Sequence, residues 1–304
     1  MKTHHFLAFC LSTPWAMLPE RMQAYASVLA RRYGDKASYR ADVESEMTPG
    51  VDVNAGPRGG FGRQGAIAVI RVHGTIVQRA SQISMCEGGT STQQISQALQ
   101  SALADETVSS ILLDIDSPGG SVFGVSELAD EIIEARKKKP VCAIANSMAA
   151  SAAYWIGCSA SEFYITPGGQ VGSIGVWTAH EDWSKALEQE GVKVTLISAG
   201  KYKVEGHPYG PIDAEALAFQ QAGVDDYYGA FTKAVARGRN VPIDSVRNGM
   251  GQGRVLGADA AVAEKMVDGA MTFDQVVKHL ATSAKPSRSA RASAQLAADI
   301  ASVS

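Results

Sequence analysis

Between Pro140 and Ser161 the chain carries no charged residue. A membrane-spanning helix needs about 20 mainly apolar residues, so this run is long enough to raise that possibility. Its composition argues against it. Ala, Ser, Gly and Asn dominate, large aliphatics are few, and Asn146, Ser147 and Ser151 would be poorly placed in lipid. A buried strand over 141–145 followed by a buried helix from about 149 to 158 accounts for the same residues. A strand and helix buried this completely must be covered by further layers.

The flanking sequence supplies those layers. Apolar, β-rich runs occur at 66–72, 110–116, 162–166, 172–176 and 192–197. Helical periodicity lies between them. Thr92 is placed to cap a helix carrying Ile95, Leu99 and Leu103. Another helix carries Leu128, Ile132 and Ile133, and ends in Arg136-Lys137-Lys138-Lys139, cations read as a solvated helix end beside the negative pole of the dipole. Helices dominate from 213 to about 239 and from 257 to 266. Strands alternating with helices predict an α/β fold with crossover connections and a largely parallel sheet.

This core is expected over 65–280 of the 304 residues. Before it, 34–64 is turn-rich and ends in Gly-Pro-Arg-Gly-Gly-Phe-Gly, the composition of a linker. Residues 1–33 suggest a short amphipathic helix through Met17, Leu18, Met22, Tyr25 and Val28. The apolar run 6–11 is shorter than the ~7–15 residues of an export-signal core. Residues 281–304 form an Ala/Ser/Arg-rich tail. A net charge of −3 argues against a nucleic-acid binder. Cys10, Cys86, Cys142 and Cys158 make no CxxC motif, and Cys142 and Cys158 read as buried free thiols in a reducing compartment.

Two segments carry the chemistry. In Ser147-Met148-Ala149-Ala150-Ser151, the last serine falls where a strand gives way to a helix, among small residues that let another backbone approach. Amides at a helix start are unpaired and can hold developing negative charge. Asp116-Ser117-Pro118-Gly119-Gly120 follows a strand, and its bare amides could form an oxyanion hole at the carboxyl edge of the sheet. The nucleophile needs a base. Lys201 and Lys203 of Ser198-Ala199-Gly200-Lys201-Tyr202-Lys203 are candidates, provided desolvation lowers an amine pKa that is ordinarily ~10.4. His73, His180 and His207 fall in the body of the chain, and no acidic spacing marks any of them as a triad member. His207, four residues beyond Lys203, is read as a structural or rim residue.

Taken in order, these motifs resemble the signal-peptide-peptidase A family of serine–lysine peptidases, together with Gly172-Ser173-Ile174-Gly175-Val176 and Gly253-Arg254-Val255-Leu256-Gly257-Ala258-Asp259-Ala260. The resemblance runs from about Ala66 to Val277. It implies a ClpP/crotonase-like fold, a repeated β-β-α superhelix. It also implies roles by position: Ser151 as nucleophile, Lys203 as base, the amides of Gly120 and Ala152 as the oxyanion hole, and Ser173 orienting the lysine amine. Gly119, Ser121, Val122, Gly172, Ile174 and Gly175 match edges that bind a peptide as an added strand. Ala152 and Ala153 stand where relatives often have glycine, and Val204 where an acidic residue often follows the base.

The segment Thr13-Pro14-Trp15-Ala16-Met17-Leu18-Pro19 resembles the start of phage prohead or capsid-maturation proteases, which act on scaffold and portal proteins. The resemblance implies a metal-free, cofactor-free endopeptidase forming a homo-oligomeric ring, in which the lysine completes a neighbour's site. It would work in the bacterial host cytoplasm or inside the prohead, with no membrane span and no nucleic-acid partner. Three alternatives stay open: a cytoplasmic signal-peptide-peptidase-like protease, a crotonase-like acyl-CoA enzyme, and a non-catalytic assembly protein that kept the fold.

Overall fold

The computed structural model describes residues 14–19, 22, 66–79 and 89–283. Its centre is a mixed but largely parallel sheet. Strand β2 (Ala66–His73) pairs with β5 (Val108–Ser117), which pairs with β7 (Val141–Ala150). The first half of β7 pairs with β8 (Glu162–Ile165) and its second half with β9 (Gln170–Gly172). Antiparallel β10 (Val255–Gly257) lies outside β9, and β11 (Gly269–Ala270) outside β8.

A second, smaller sheet runs in the order β1 (Trp15–Met17), β6 (Gly119–Ser121), β3 (Ile76–Val77), β4 (Thr90–Ser91). Long strand, short strand, then helix is the repeating unit. It gives α1 (Thr92–Ala104) after β2–β4 and α2 (Val125–Ala135) after β5 and β6, while α3 (Ala152–Gly157) follows β7. This is the β-β-α arrangement anticipated from the motifs.

Alternation along the strands explains the layers. Ala68, Ile70 and Val72 of β2 face the same core as Ile95, Leu99, Leu128 and Ile132 from α1 and α2. Ile67 and Val69, with Leu112 and Ile144, face the other side and meet Val276 and Leu280 of α8 (Phe273–Ser283). Burying each such side chain stabilises the fold by about 1.5–3 kcal/mol. The long helix α5 (Ala214–Arg239) starts at Asp213, whose carboxylate accepts from the Ala216 N–H at 2.8 Å. Its Phe231 stacks on Trp155 with centroids 4.6 Å apart. The remaining helices are short: α4 (Ser184–Gln189), α6 (Ile243–Asn248) and α7 (Ala258–Ala263).

Several expectations are corrected. The cap of α1 is Ser91 rather than Thr92. Ser91 Oγ accepts from Gln94 N–H and Gln94 Oε1 accepts from Ser91 N–H, both at 3.1 Å. The cations after α2 are not all solvated. Lys139 donates to the carbonyls of Ala102 and Asp105 at 2.9 and 2.6 Å, closing the end of α1, and Arg136 donates to those of Ser159 and Ala160. Gly119-Gly120 forms a strand, not only a turn, because β1 and β3 flank it. Strand β7 runs on to Ala150, so the next helix begins only at Ala152. The helix expected over 257–266 is confined to Ala258–Ala263.

Two differences bear on function. The run 192–197 forms no strand, and Val192, Val194, Leu196 and Ile197 are exposed, Ile197 by 94%. Met17, placed in an amphipathic helix by periodicity, belongs to the strand Trp15–Met17, while Pro19 and Met22 are helical. The remainder of that expected helix, the linker 34–64, Cys10, Cys86 and residues 284–304 lie outside the described residues.

Candidate active site

The site is built by an irregularity in β7. Opposite Ile115 and Ser117 of β5 stand Ala145 and Ala149, so the β7 side carries two more residues than its partner. A bulge of this kind bends a strand and re-aims the residues beyond it. Ser147 takes a φ of 106° within it, and its hydroxyl donates to Asp116 Oδ1 at 2.8 Å. Asn146 donates to Asp114 Oδ1 at 3.0 Å, and His73 Nε2 lies 3.3 Å from Asp114 Oδ2. These side chains pin the bulge from the side.

After the bulge the chain turns sharply at Ser151, with φ 55° and ψ −116°. Its N–H donates to the Gly172 carbonyl at 2.7 Å and its hydroxyl to the Gly175 carbonyl at 3.4 Å. Ser151 is 1% exposed. Helix α3 has only six residues, so a helix dipole contributes little here; the local amides matter more. Non-glycine residues in such backbone regions are found where surrounding structure over-determines them, often at functional positions.

The Gly119-Gly120 pair faces this turn. A methyl group on Gly119 would collide with the Ala16 carbonyl oxygen and lie 3.0 Å from Ser151 Cβ. Gly119 also needs its φ of 98°. Ser117 decides which amide is free to serve the site: its hydroxyl accepts from the Gly119 N–H at 3.2 Å and donates to the Gly74 carbonyl at 2.6 Å. That leaves the Gly120 N–H as the amide of the pair that Ser117 does not hold. The sequence motif contained Ser117, but its contact with a carbonyl 43 positions away had no local signal.

The second wall is Gly172 to Val176. Ser173 has a φ of 54°, is 7% exposed, and donates its N–H to the Arg254 carbonyl at 2.8 Å. Ile174 is buried and Gly175 accepts from Ser151. Ala152 is fully buried, directly after Ser151. Ser121 lies on β6, while Val122 turns into the main core. Thus Gly119, Gly172 and Gly175 meet at the Ser151 turn, with Gly120, Ala152 and Ser173 next to them in the chain.

Lys203 does not join them within one chain. It is exposed on the irregular 190–212 segment, and no hydrogen bond links it to Ser151. Lys201 is engaged otherwise: it bonds Tyr202 Oη at 2.5 Å and Glu215 Oε1 at 3.1 Å. Those two partners, Tyr202 foremost, raise its pKa and favour the charged form, which is wrong for a base. His207 serves its own loop, accepting from Tyr209 N–H and, through its carbonyl, meeting His180. Among the described residues the thiols offer no rival nucleophile, since burial pushes Cys142 up strongly and Cys158 up to about 12. Among the described residues no cluster could hold a metal ion, and no helix is long and apolar enough to cross a membrane.

Comparison with known proteins gives a consistent picture. A model described as peptidase family S49 matches residues 133–287. The chain is 31% identical over 273 residues to the head-tail preconnector protein GP5 of Enterobacteria phage P21, covering 86% of this chain and 52% of that protein. It is 39% identical over 170 residues to the capsid assembly protease C of Escherichia phage lambda, 56% of this chain and 39% of that protein. It is 30% identical over 214 residues to Protease 4 of Haemophilus influenzae, 69% of this chain and 34% of that protein. The chain therefore spans about half the length, or less, of these relatives.

Proposed function

The chain belongs to peptidase family S49, and we propose that it is a serine endopeptidase in which Ser151 attacks the carbonyl of an extended polypeptide. The observation that carries this reading is the placement of Ser151. A buried serine at positive φ stands with its Cβ against Gly119, and in this reading the adjacent Gly120 N–H is the first oxyanion donor. The Ala152 N–H, in the first turn of α3, is the second oxyanion donor. Each such donor lowers the barrier by about 3–4 kcal/mol. Lys203 takes the Ser151 proton and passes it to the leaving amine. The acyl-enzyme is then released by water.

Lys203 acts across a subunit contact in this reading. It is exposed on the same irregular segment as Val192, Val194, Leu196 and Ile197, an apolar run of strand-like sequence that has no ladder partner among the described residues. Docked on a neighbouring copy, that segment would lose its exposed apolar surface, and Lys203 would lose the water that keeps its amine charged. Ser173, on the wall beside Ser151, would orient the amine. Two relatives carry names from head assembly, and substrates among scaffold and portal proteins of a phage shell fit that likeness.

A fluorophosphonate probe tests the reading. Labelling should be lost in Ser151→Ala and Lys203→Ala and kept in Lys201→Ala. Mixing Ser151→Ala with Lys203→Ala subunits should restore part of it. Labelling that survives Lys203→Ala but not Lys201→Ala would make Lys201 the base.

A further inference from the structure

We propose that Pro14–Leu18 is a substrate-like strand lodged in the peptide groove of its own chain, holding the peptidase latent until it withdraws. The proposal rests on the peptidase reading for what the groove does, but not for what fills it.

One of the two edges that match peptide-binding strands is occupied, and so is the chain just past the other, at Trp177. On one side Trp15, Ala16 and Met17 pair antiparallel with Ser121, Gly120 and Gly119. On the other, Trp15 exchanges two backbone hydrogen bonds with Trp177, 2.9 and 3.0 Å long, and Trp177 Nε1 donates to the Met17 carbonyl at 2.9 Å. A short segment held between two edges is how an added peptide strand binds.

The register is informative. Leu18 N–H donates to the Pro118 carbonyl at 3.2 Å. Hydrogen-bonded and non-bonded pairs alternate in an antiparallel ladder, so Ala16 and Gly120 form the next bonded pair. The Gly120 N–H, the amide left free for the oxyanion hole, is thereby spent on the Ala16 carbonyl. That carbonyl oxygen and Ser151 Cβ converge on the same point beside Gly119. Ala16 stands where a scissile residue would stand, and its small side chain is fully buried. Trp15 and Met17, 6% and 1% exposed, pack with Met22 and Trp177. The groove thus takes an extended apolar segment with a small residue at its centre, and the same features define the class of peptide substrate.

The strand can also leave. It is at the edge of the smaller sheet, so its withdrawal breaks no central ladder. While tethered, it competes at an effective concentration on the order of millimolar, and a free peptide sees only the fraction of molecules with an open groove.

The test uses full-length protein with Ala16→Pro, which deletes the N–H that pairs with Gly120 and fits poorly inside a ladder, or Trp15→Gly, which removes the apolar anchor. The probes are a fluorophosphonate and a fluorescent Thr-Pro-Trp-Ala-Met-Leu-Pro peptide. Both variants should label at Ser151 on the order of tenfold faster than wild type or more, and should bind the peptide that wild type excludes. Equal labelling rates in all three proteins, with no peptide binding, would overturn latency and leave the peptidase reading intact. Peptide binding by the variants without labelling would uphold the lodged strand and defeat the catalytic reading. If Ala16→Pro fails to fold, Trp15→Gly carries the same comparison.

Discussion

Ser151 combines two properties that rarely coincide in a residue selected for stability: a positive φ and nearly complete burial. A side chain held in such a backbone region costs on the order of 1–3 kcal/mol. Glycine adopts it freely, at an entropic cost of about 0.5–1 kcal/mol. Ser151→Gly should therefore abolish labelling and still raise stability by about 1 kcal/mol, or roughly 2–4 °C in Tm for a domain near this size. A calorimetric scan showing a lowered Tm would contradict strain at this turn. Ser151 was legible as the proposed nucleophile because it sits in an ordered set of motifs. Ser117 was not, since its work of engaging the Gly119 N–H depends on a contact with the Gly74 carbonyl. The choice between Lys201 and Lys203 was also hidden, because Glu215, the ion-pair partner of Lys201, lies on a helix fourteen positions away.

At the scale of elements, β7 illustrates how far periodicity reaches. Its apolar half, 141–145, was readable from composition. Its continuation to Ala150 depends on pairing with β9, which polar and small residues do not announce. The end of α5 is fixed by a similar long-range device. Arg239 clasps Asp268 through two bonds of 2.8 and 3.0 Å, and Asp268 Oδ2 also accepts the Phe163 N–H at 2.7 Å, tying the helix to β8. Burial pushes the Asp268 pKa upward, but Arg239 and the Phe163 amide outweigh it and hold the carboxyl below its ordinary value of 3.8. A depressed carboxyl stabilises the fold above its unfolded pKa, and this contribution disappears as pH falls through the lower folded value. Asp268→Asn should accordingly cost about 1.5 kcal/mol at pH 7. The difference from wild type should shrink below about pH 4. Urea midpoints at pH 7 and pH 3 measure it, and a gap that widens in acid would refute the assignment.

For the whole molecule, the 192–203 segment is the part least explained by one chain. Ile197 is 94% exposed and Tyr202 53%, beside Lys203, the base in the proposed reading. A single exposed substitution far from special contacts changes subunit stability by less than about 0.5 kcal/mol. Ile197→Asp should leave the Tm of the isolated subunit nearly unchanged, shift sedimentation toward smaller species, and suppress labelling at Ser151. Unaltered sedimentation together with full labelling would argue that the segment docks on no neighbour.

What the sequence determined alone was local in origin: the uncharged run that had to be buried, the alternation of strands and helices around it, and the serine among small residues within it. Each depends on neighbours in the chain or on a periodicity of two or 3.6. Tertiary structure decided the rest. It made Gly119–Ser121 a strand by flanking it with β1 and β3, left 192–197 outside every ladder among the described residues, and brought Trp15–Met17 against Gly119–Ser121 across more than a hundred residues of chain. Short segments such as these have no strand identity of their own, because their backbone hydrogen bonds exist only once distant partners are in place.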